Sequence, residues 1–360
     1  MPANIRRRAN EKSRAVHHAL GPRGPFPDTP MTRTLERRWL HYALLSTDGE
    51  LGLVANVAWL GPACAEDARA PQCTTILLLH RRDSGWEASQ FNARTAAPLW
   101  SAFHQPHDHG QATPLRLAAV AGAPAVDLLL SRTSHPCVSQ CAPFADDQHL
   151  RWQSETGVTA QGEWSFKDGT RRLARAVGYH ERVRGFWGWP ELGGWVFGFA
   201  NAPTKALADG PTAPPAWALV FTFINPPAPV GATTASLMLW RDGRMVRHFA
   251  RRNVSMAVRG QLSRDKVRQV PELANLFGVA PMAPIPSRLV ITGAQGDDRL
   301  LIDLDVDSAA RVVIPSETSL QPFSVHEVIG PVRVHGRLNG ADFAFETRGI
   351  AEFAGGAGGD

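Results

Sequence analysis

Charge is scarce in this chain. Asp, Glu, Lys and Arg make up 20% of its 360 residues, against 44% apolar residues, so a sizeable core can form. Long apolar runs are missing. No stretch of about 18 apolar residues occurs, which argues against a transmembrane helix. No apolar h-region follows Arg6, Arg7 and Arg8, so no secretory signal is visible and a cytoplasmic location is expected. Cysteine is sparse too. Cys64, Cys73, Cys137 and Cys141 include no CxxC pair, which argues against a zinc site and for reduced thiols. Were the protein exported, Cys64 with Cys73 is the pair to test for a disulfide. There is no G-x-S-x-G, no phosphate loop and no dinucleotide fingerprint, so no cofactor is expected. The acid-rich segment Gly296–Asp307 lacks the pattern of an EF-hand loop and reads as a strand with exposed acids. The net charge is +5, with arginines concentrated in the first 40 residues. No helix-turn-helix, zinc-finger or RNA-binding signature accompanies them, so residues 1–34 read as a disordered basic leader and no nucleic-acid partner is expected. His104, His107 and His109 could ligate a metal, but they lie in a polar, proline-broken segment that reads as a loop; no metal is expected.

Turns are abundant. The chain has 28 prolines and 32 glycines, and turn signals recur about every ten residues, the pattern of an all-β protein. The run RRWLHYALL leads to the turn Asp48-Gly49 and then LGLVANVAWLG, a hairpin in which Trp39, His41 and Ala43 share one face and Leu40, Tyr42 and Leu44 the other. Further strands are expected at Thr74–His80, Trp86–Asn92, Leu115–Ala119, Val126–Ser131 and, around Asp168-Gly169, from Trp152 to Tyr179. A proline- and alanine-rich segment, APTKALADGPTAPP, is the best candidate for a domain boundary. Strands resume at Trp217–Ile224, Ser236–Trp240, Arg288–Thr292, Leu300–Leu304, Arg311–Ile314, Gly330–Leu338 and Asp342–Phe353, the last two joined by the hairpin signal Asn339-Gly340. Ser263–Phe277 is the most helix-like segment, interrupted by Pro271. The last residues, 356–360, read as a flexible tail.

The chemistry concentrates in GYHERVRGFWGWPELGGWVFGFAN, from Gly178 to Asn201. One of the only two tyrosines, Tyr179, stands here among ionisable groups and large rings. Ionisable groups beside apolar rings suit a pocket that does proton chemistry on a greasy ligand. A buried aromatic strand pair has the same composition.

Three stretches carry a resemblance: HEVIGPVRVHGRLNGADFAFETRGIAEF near the C-terminus, RRWLHYALLSTDGELG, and GYHERVRGFWGW…GWVFGF. In the first, Glu327, Gly330, Val332, Val334, Gly336, Gly340, Gly349 and Glu352 fall in the order of the closing strands of the carotenoid 1,2-hydratase (hydroxyneurosporene synthase) group of tandem lipocalin-like proteins. An aromatic of that pattern is replaced by His326. The chain resembles this group over about residues 35 to 355. Its relatives include lipocalin-like Diels–Alderases and, more distantly, tocopherol cyclase. The resemblance implies an all-β fold of two lipocalin-like antiparallel β-barrels side by side, at 35–200 and 201–355. It also implies a cofactor-independent enzyme of secondary metabolism acting on an apolar polyene, isoprenoid or polyketide-derived substrate.

Protonating an alkene needs a carboxyl that stays protonated and is stiffly placed. Glu181 is the first candidate. It leaves the same strand face as Tyr179, and the pair resembles the group's Tyr-x-Asp acidic centre with the acid one methylene longer. Arg182 and Arg184 would lower the pKa of Glu181 if they shared its face, and a bulge at Gly185 would bring them there. Trp187 and Trp189 are expected beside the pair, and Trp195, Phe197 and Phe199 on the partner strand; Trp217 and Trp240 could extend the wall of an apolar cavity. A pericyclic reaction would ask instead for a carbonyl donor, for which Tyr179, Arg184, Asn201 and His326 qualify. The readings are therefore an acid-catalysed cyclase, hydratase or isomerase, a Diels–Alderase-type pericyclase, and a non-catalytic carrier of an apolar ligand. The expected partner is an apolar small molecule, with no stable membrane insertion and a monomer or homodimer.

Overall fold

The structure, a computed structural model, describes residues 36–60, 72–93, 112–118, 122–135, 138–143, 148–187, 193–202, 215–225, 234–270, 284–314 and 323–354. They form two antiparallel sheets, each curled into a barrel-like domain. The first has nine strands: β1 (Glu36–Ser46), β2 (Leu51–Leu60), β3 (Gln72–Arg81), β4 (Gly85–Ala93), β5 (Ala112–Ala118), β6 (Ala125–Ser131), β7 (Val138–Pro143), β8 (His149–Ser165) and β9 (Arg171–Phe186). Their order is β4-β3-β2-β1-β9-β8-β6-β5, with β7 added to β8. The second has eleven: β10 (Trp195–Asn201), β11 (Trp217–Ile224), β12 (Thr234–Arg241), β13 (Arg244–Ala250), β14 (Val254–Arg259), β15 (Val267–Val270), β16 (Arg288–Gln295), β17 (Asp298–Asp305), β18 (Ser308–Ile314), β19 (Phe323–Leu338) and β20 (Ala341–Ala354).

Alternation along each strand sorts the side chains into four clusters, one of which gathers Leu150, Trp152, Val183, Trp187 and Ile224 at one end of the junction. Leu40, Tyr42 and Leu44 fill the first barrel. Leu219, Phe221 and Phe223 fill the second. Ala43 and Leu45, on the other face of β1, meet Phe197, Phe199, Val220, Ile329 and Ile350 between the two sheets. Strands at this junction are buried on both faces, which is why β11 reads as the nearly unbroken apolar run WALVFTFI. The hairpin signals hold: Asn339 and Gly340 both have positive φ (50° and 79°), the geometry of a two-residue type I′ turn.

Three expectations differ from the structure. The chain leaves the first sheet after Phe186 and enters the second at Trp195, so the expected boundary at residue 200 lies earlier in the chain. Trp195, Phe197 and Phe199 were expected on a strand that partners the one carrying Glu181. In fact β9 pairs with β1 and β8, while β10 pairs with β11 and β20. The helix expected from Ser263 is a 3-10 turn at Arg264–Lys266 followed by β15, which pairs in parallel with β18. The leader, the tail, Trp189, Cys64, Cys137, the three histidines of residues 104–109 and residues 271–283 lie outside the described residues. Among the described residues no helix is long and apolar enough to cross a membrane.

Candidate active site

Glu181 and Tyr179 leave one face of β9, toward the second sheet. The only register shift in the β8–β9 pairing falls at Gly157 (φ 64°), not at Gly185, so strand parity survives along this stretch. Register sets Ser154 of β8 and His41 of β1 directly opposite Glu181. The Tyr179 hydroxyl donates to Glu181 Oε2 at 2.7 Å. Its oxygen lies 2.8 Å from Ser154 Oγ, which is then the donor to it. Trp39 Nε1 points at Glu181 Oε1 from 3.4 Å. Burial pushes the Glu181 carboxyl up to about 7. The Tyr179 hydrogen bond pulls it down, the charge of Glu352 pushes it up, and Trp39 pulls it down slightly. No arginine opposes the shift. Arg182 turns into the first barrel, 3.4 Å from Glu155, and Arg184 is exposed. The carboxyl is thus half protonated near neutral pH, the state a general acid needs.

Around it stand rings from both sheets. Trp39 stacks on Trp195 at 6.1 Å and meets the edge of Trp187 at 5.3 Å. Tyr179 packs on Phe197 at 4.4 Å. Trp39, Trp152, Glu181, Trp195 and Phe197, with Leu150, Val183, Thr222 and Ile224, line a narrow cavity of about 30 Å³. A second, polar cleft of about 310 Å³ opens at the other end of the junction, lined by Ser46, Asp48, Arg82, Asn201, Thr347 and Arg348 among others.

A further acidic group lies on the second sheet's side. Glu327 and Glu352 are direct cross-strand neighbours on β19 and β20, and both are buried. Trp195 Nε1 donates to Glu352 Oε1. Burial pushes the Glu327 carboxyl well up, and the charge of Glu352, a hydrogen bond to it and the charge of Glu181 push it further. His41 completes the group, with Nδ1 3.9 Å from Glu352 Oε2. Burial pushes its pKa down, which leaves a neutral imidazole.

The structure brings Tyr179, Glu181, Trp187, Trp195 and Phe197 together. Asn201 lies in the polar cleft, 3.4 Å from the Gly178 carbonyl. Trp240 is buried between the sheets but does not line the acid's cavity. Trp217 stacks on Phe343 at 4.3 Å, beneath the Arg241 guanidinium. His326 points to the opposite face from Glu327, where Arg311 Nε donates to its Nε2 at 3.0 Å; burial and that guanidinium push its pKa down to about 4. Trp39, His41, Trp152 and Ser154 were not among the residues expected at the site. A signal existed for two of them, since Trp39 and His41 alternate on one face of β1.

No family model matches the chain, and no curated protein matches it in sequence. Solved structures do match in shape. One, described as an AttH of Nitrosomonas europaea, is 16% identical, with a TM-score of 0.55 over 93% of this chain and 99% of its own. CghA with Sch210972 is 14% identical, with a TM-score of 0.57 over 89% and 88%. Kievitone hydratase of Nectria haematococca is 10% identical, with a TM-score of 0.53 over 88% of each chain. The chain shares the fold of these structures.

Proposed function

We propose that this chain is a cofactor-independent enzyme that protonates an apolar unsaturated substrate from Glu181. The observation that carries this reading is a half-buried carboxyl, raised to about 7, set among tryptophans and held by Tyr179. Proton delivery to an alkene carbon leaves a cation, and the faces of Trp39, Trp152 and Trp195 are suited to stabilise it. Hydration, cyclisation and isomerisation all begin at that step. The fold neighbours support the class, since one is named a hydratase.

A pericyclase is the second reading. It is favoured by the likeness to CghA, a Diels–Alderase, and by the Ser154–Tyr179 hydroxyl pair, which could polarise a carbonyl.

The test is native mass spectrometry with organic extraction of the purified protein, followed by assay of the extracted compound with wild type and Glu181→Gln. Turnover lost with binding retained supports the acid. Turnover retained in Glu181→Gln and lost in Tyr179→Phe supports the pericyclase. A bound compound that wild type never alters leaves a carrier.

A further inference from the structure

A different polar group stands on the inner wall of the second barrel, the face of β19 away from Glu327. Gln269 of β15, Arg311 of β18 and His326 of β19 are direct cross-strand neighbours in one row. The row runs on through Phe353, Val196 and Phe223, which belong to the core of that barrel or pack against it. Alternation keeps all six away from the face that carries Glu327 and Glu352. The three polar residues are not among those that line the Glu181 cavity.

The group has donors and a positive charge but no acid. Arg311 is half-buried, and its Nε donates to His326 Nε2 at 3.0 Å. His326 is 5% exposed and neutral, so it orients the guanidinium without balancing its charge. Its ring is held from the other side by a hydrogen bond to the Phe353 backbone. Burial and the like charge of Arg264 push the Arg311 pKa down. Among the described residues no carboxylate pairs with Arg311, and nothing accepts from its Nη1 or Nη2. Gln269 Nε2 is buried and also has no partner. The contrast within the molecule is plain. Arg182, Arg333 and Arg348 are also half-buried, and each faces a carboxylate. A guanidinium taken partly out of water calls for an anion.

We infer that Arg311 and Gln269 form a second binding site, on the inner wall of the second barrel, for the carboxylate of a small apolar acid. With Nε taken by His326, the guanidinium offers its Nη1 and Nη2 edge. Two parallel N–H bonds on that edge match the two oxygens of a carboxylate. The Gln269 amide, next to Arg311 in the row, adds a third donor. One unpaired guanidinium balances one negative charge, which favours a monoanion over a phosphate dianion. Beyond His326 the row turns apolar, and Phe353 and Val196 offer contact to the body of the ligand. The site is independent of the role proposed for Glu181, because it lies on the other face of β19 and needs no proton transfer.

Calorimetric titration of the full chain with octanoate, octanol and inorganic phosphate tests the site. Octanoate and octanol share the apolar chain and differ in the charge. Octanoate is expected to bind roughly 10–100-fold more tightly than octanol, the worth of hydrogen bonds to a charged group. No binding of octanoate, equal affinity for the two, or tighter binding of phosphate overturns the inference. Arg311→Met keeps the stem and removes the fork, so octanoate should fall to the level of octanol. A preference that survives in Arg311→Met places the carboxylate elsewhere and overturns the assignment. Gln269→Glu covers the case in which the methionine variant fails to fold. It is isosteric and sets a carboxylate beside Arg311 within the chain, so it should raise the melting temperature and abolish the preference for octanoate. A preference kept in Gln269→Glu overturns the site.

Discussion

Two glutamates stand on opposite faces of the same pair of strands, and their fates differ. Glu155 of β8 turns into the first barrel. It lies 3.4 Å from Arg182, near His180, whose ring stacks on Tyr42 at 4.2 Å. Glu181 of β9 turns outward to the junction, where its hydrogen bonds come from a phenol and an indole and no guanidinium faces it. Both sites cost desolvation. Inside the barrel a cation offsets the cost and the acid is structural. At the junction the cost is left partly uncompensated and appears as a raised pKa. Strand alternation does this sorting: residues 180 and 182 go one way, 179 and 181 the other.

Exchanging each acid should separate these roles. Glu181→Gln is expected to lower turnover by about 10²–10⁴-fold with the fold intact, since Gln keeps the shape and loses the proton. Retained turnover, measured beside an unchanged melting temperature, would remove Glu181 from the chemistry. Glu155→Leu is expected to do the opposite. It leaves the Arg182 guanidinium largely buried and unbalanced, at a cost of ~3 kcal/mol of stability by denaturant unfolding. An unchanged unfolding midpoint would show that water reaches Arg182 and that the two faces are less different than their geometry implies.

The same contrast has a pH signature. Glu181 holds its proton more tightly in the folded chain, at about 7, than at its ordinary 4.5. Its favourable contribution is complete below pH 4.5 and is lost as pH rises to 7. Stability should fall over that window by up to ~3 kcal/mol, and the fall should be missing in Glu181→Gln. Unfolding midpoints at pH 4.5, 6 and 7.5 for the two proteins decide it; parallel curves would place the pKa of Glu181 near its ordinary value.

Much of this site was legible in the chain, for a physical reason. Tyr179 and Glu181 are two residues apart on a strand, so period-two alternation alone puts them on one face. The exclusion of Arg182 followed from the same rule, once no bulge intervened at Gly185. What alternation cannot supply is which strands meet. Trp195 and Phe197 were expected beside Glu181 on a partner strand, yet they reach it across the junction, from a strand paired with β11 and β20. Glu327 and Glu352 were visible only as members of a recurring pattern. They come together because β19 and β20 register Glu327 against Glu352, and they reach His41 because two sheets pack face to face. Arg184 shows the converse. A cation in the richest stretch of the chain looked like a donor, but its face of β9 is exposed at that end.

The smallest effect expected is also the most specific. Tyr179 is fully buried, and its hydroxyl is the strongest influence holding Glu181 below the pKa that burial alone would give. Tyr179→Phe keeps the ring against Phe197 and removes one hydrogen bond, for ~1 kcal/mol of stability. It also frees the Glu181 carboxyl to rise above 7. If Glu181 is the acid, the basic limb of the pH–rate profile should move upward, while turnover on the acidic side, where the carboxyl is protonated in both proteins, changes little. A pericyclase that uses the phenol to polarise a carbonyl predicts a fall at every pH, with no movement of the limb. One substitution, read across pH rather than at a single value, therefore separates proton delivery by Glu181 from hydrogen bonding by Tyr179.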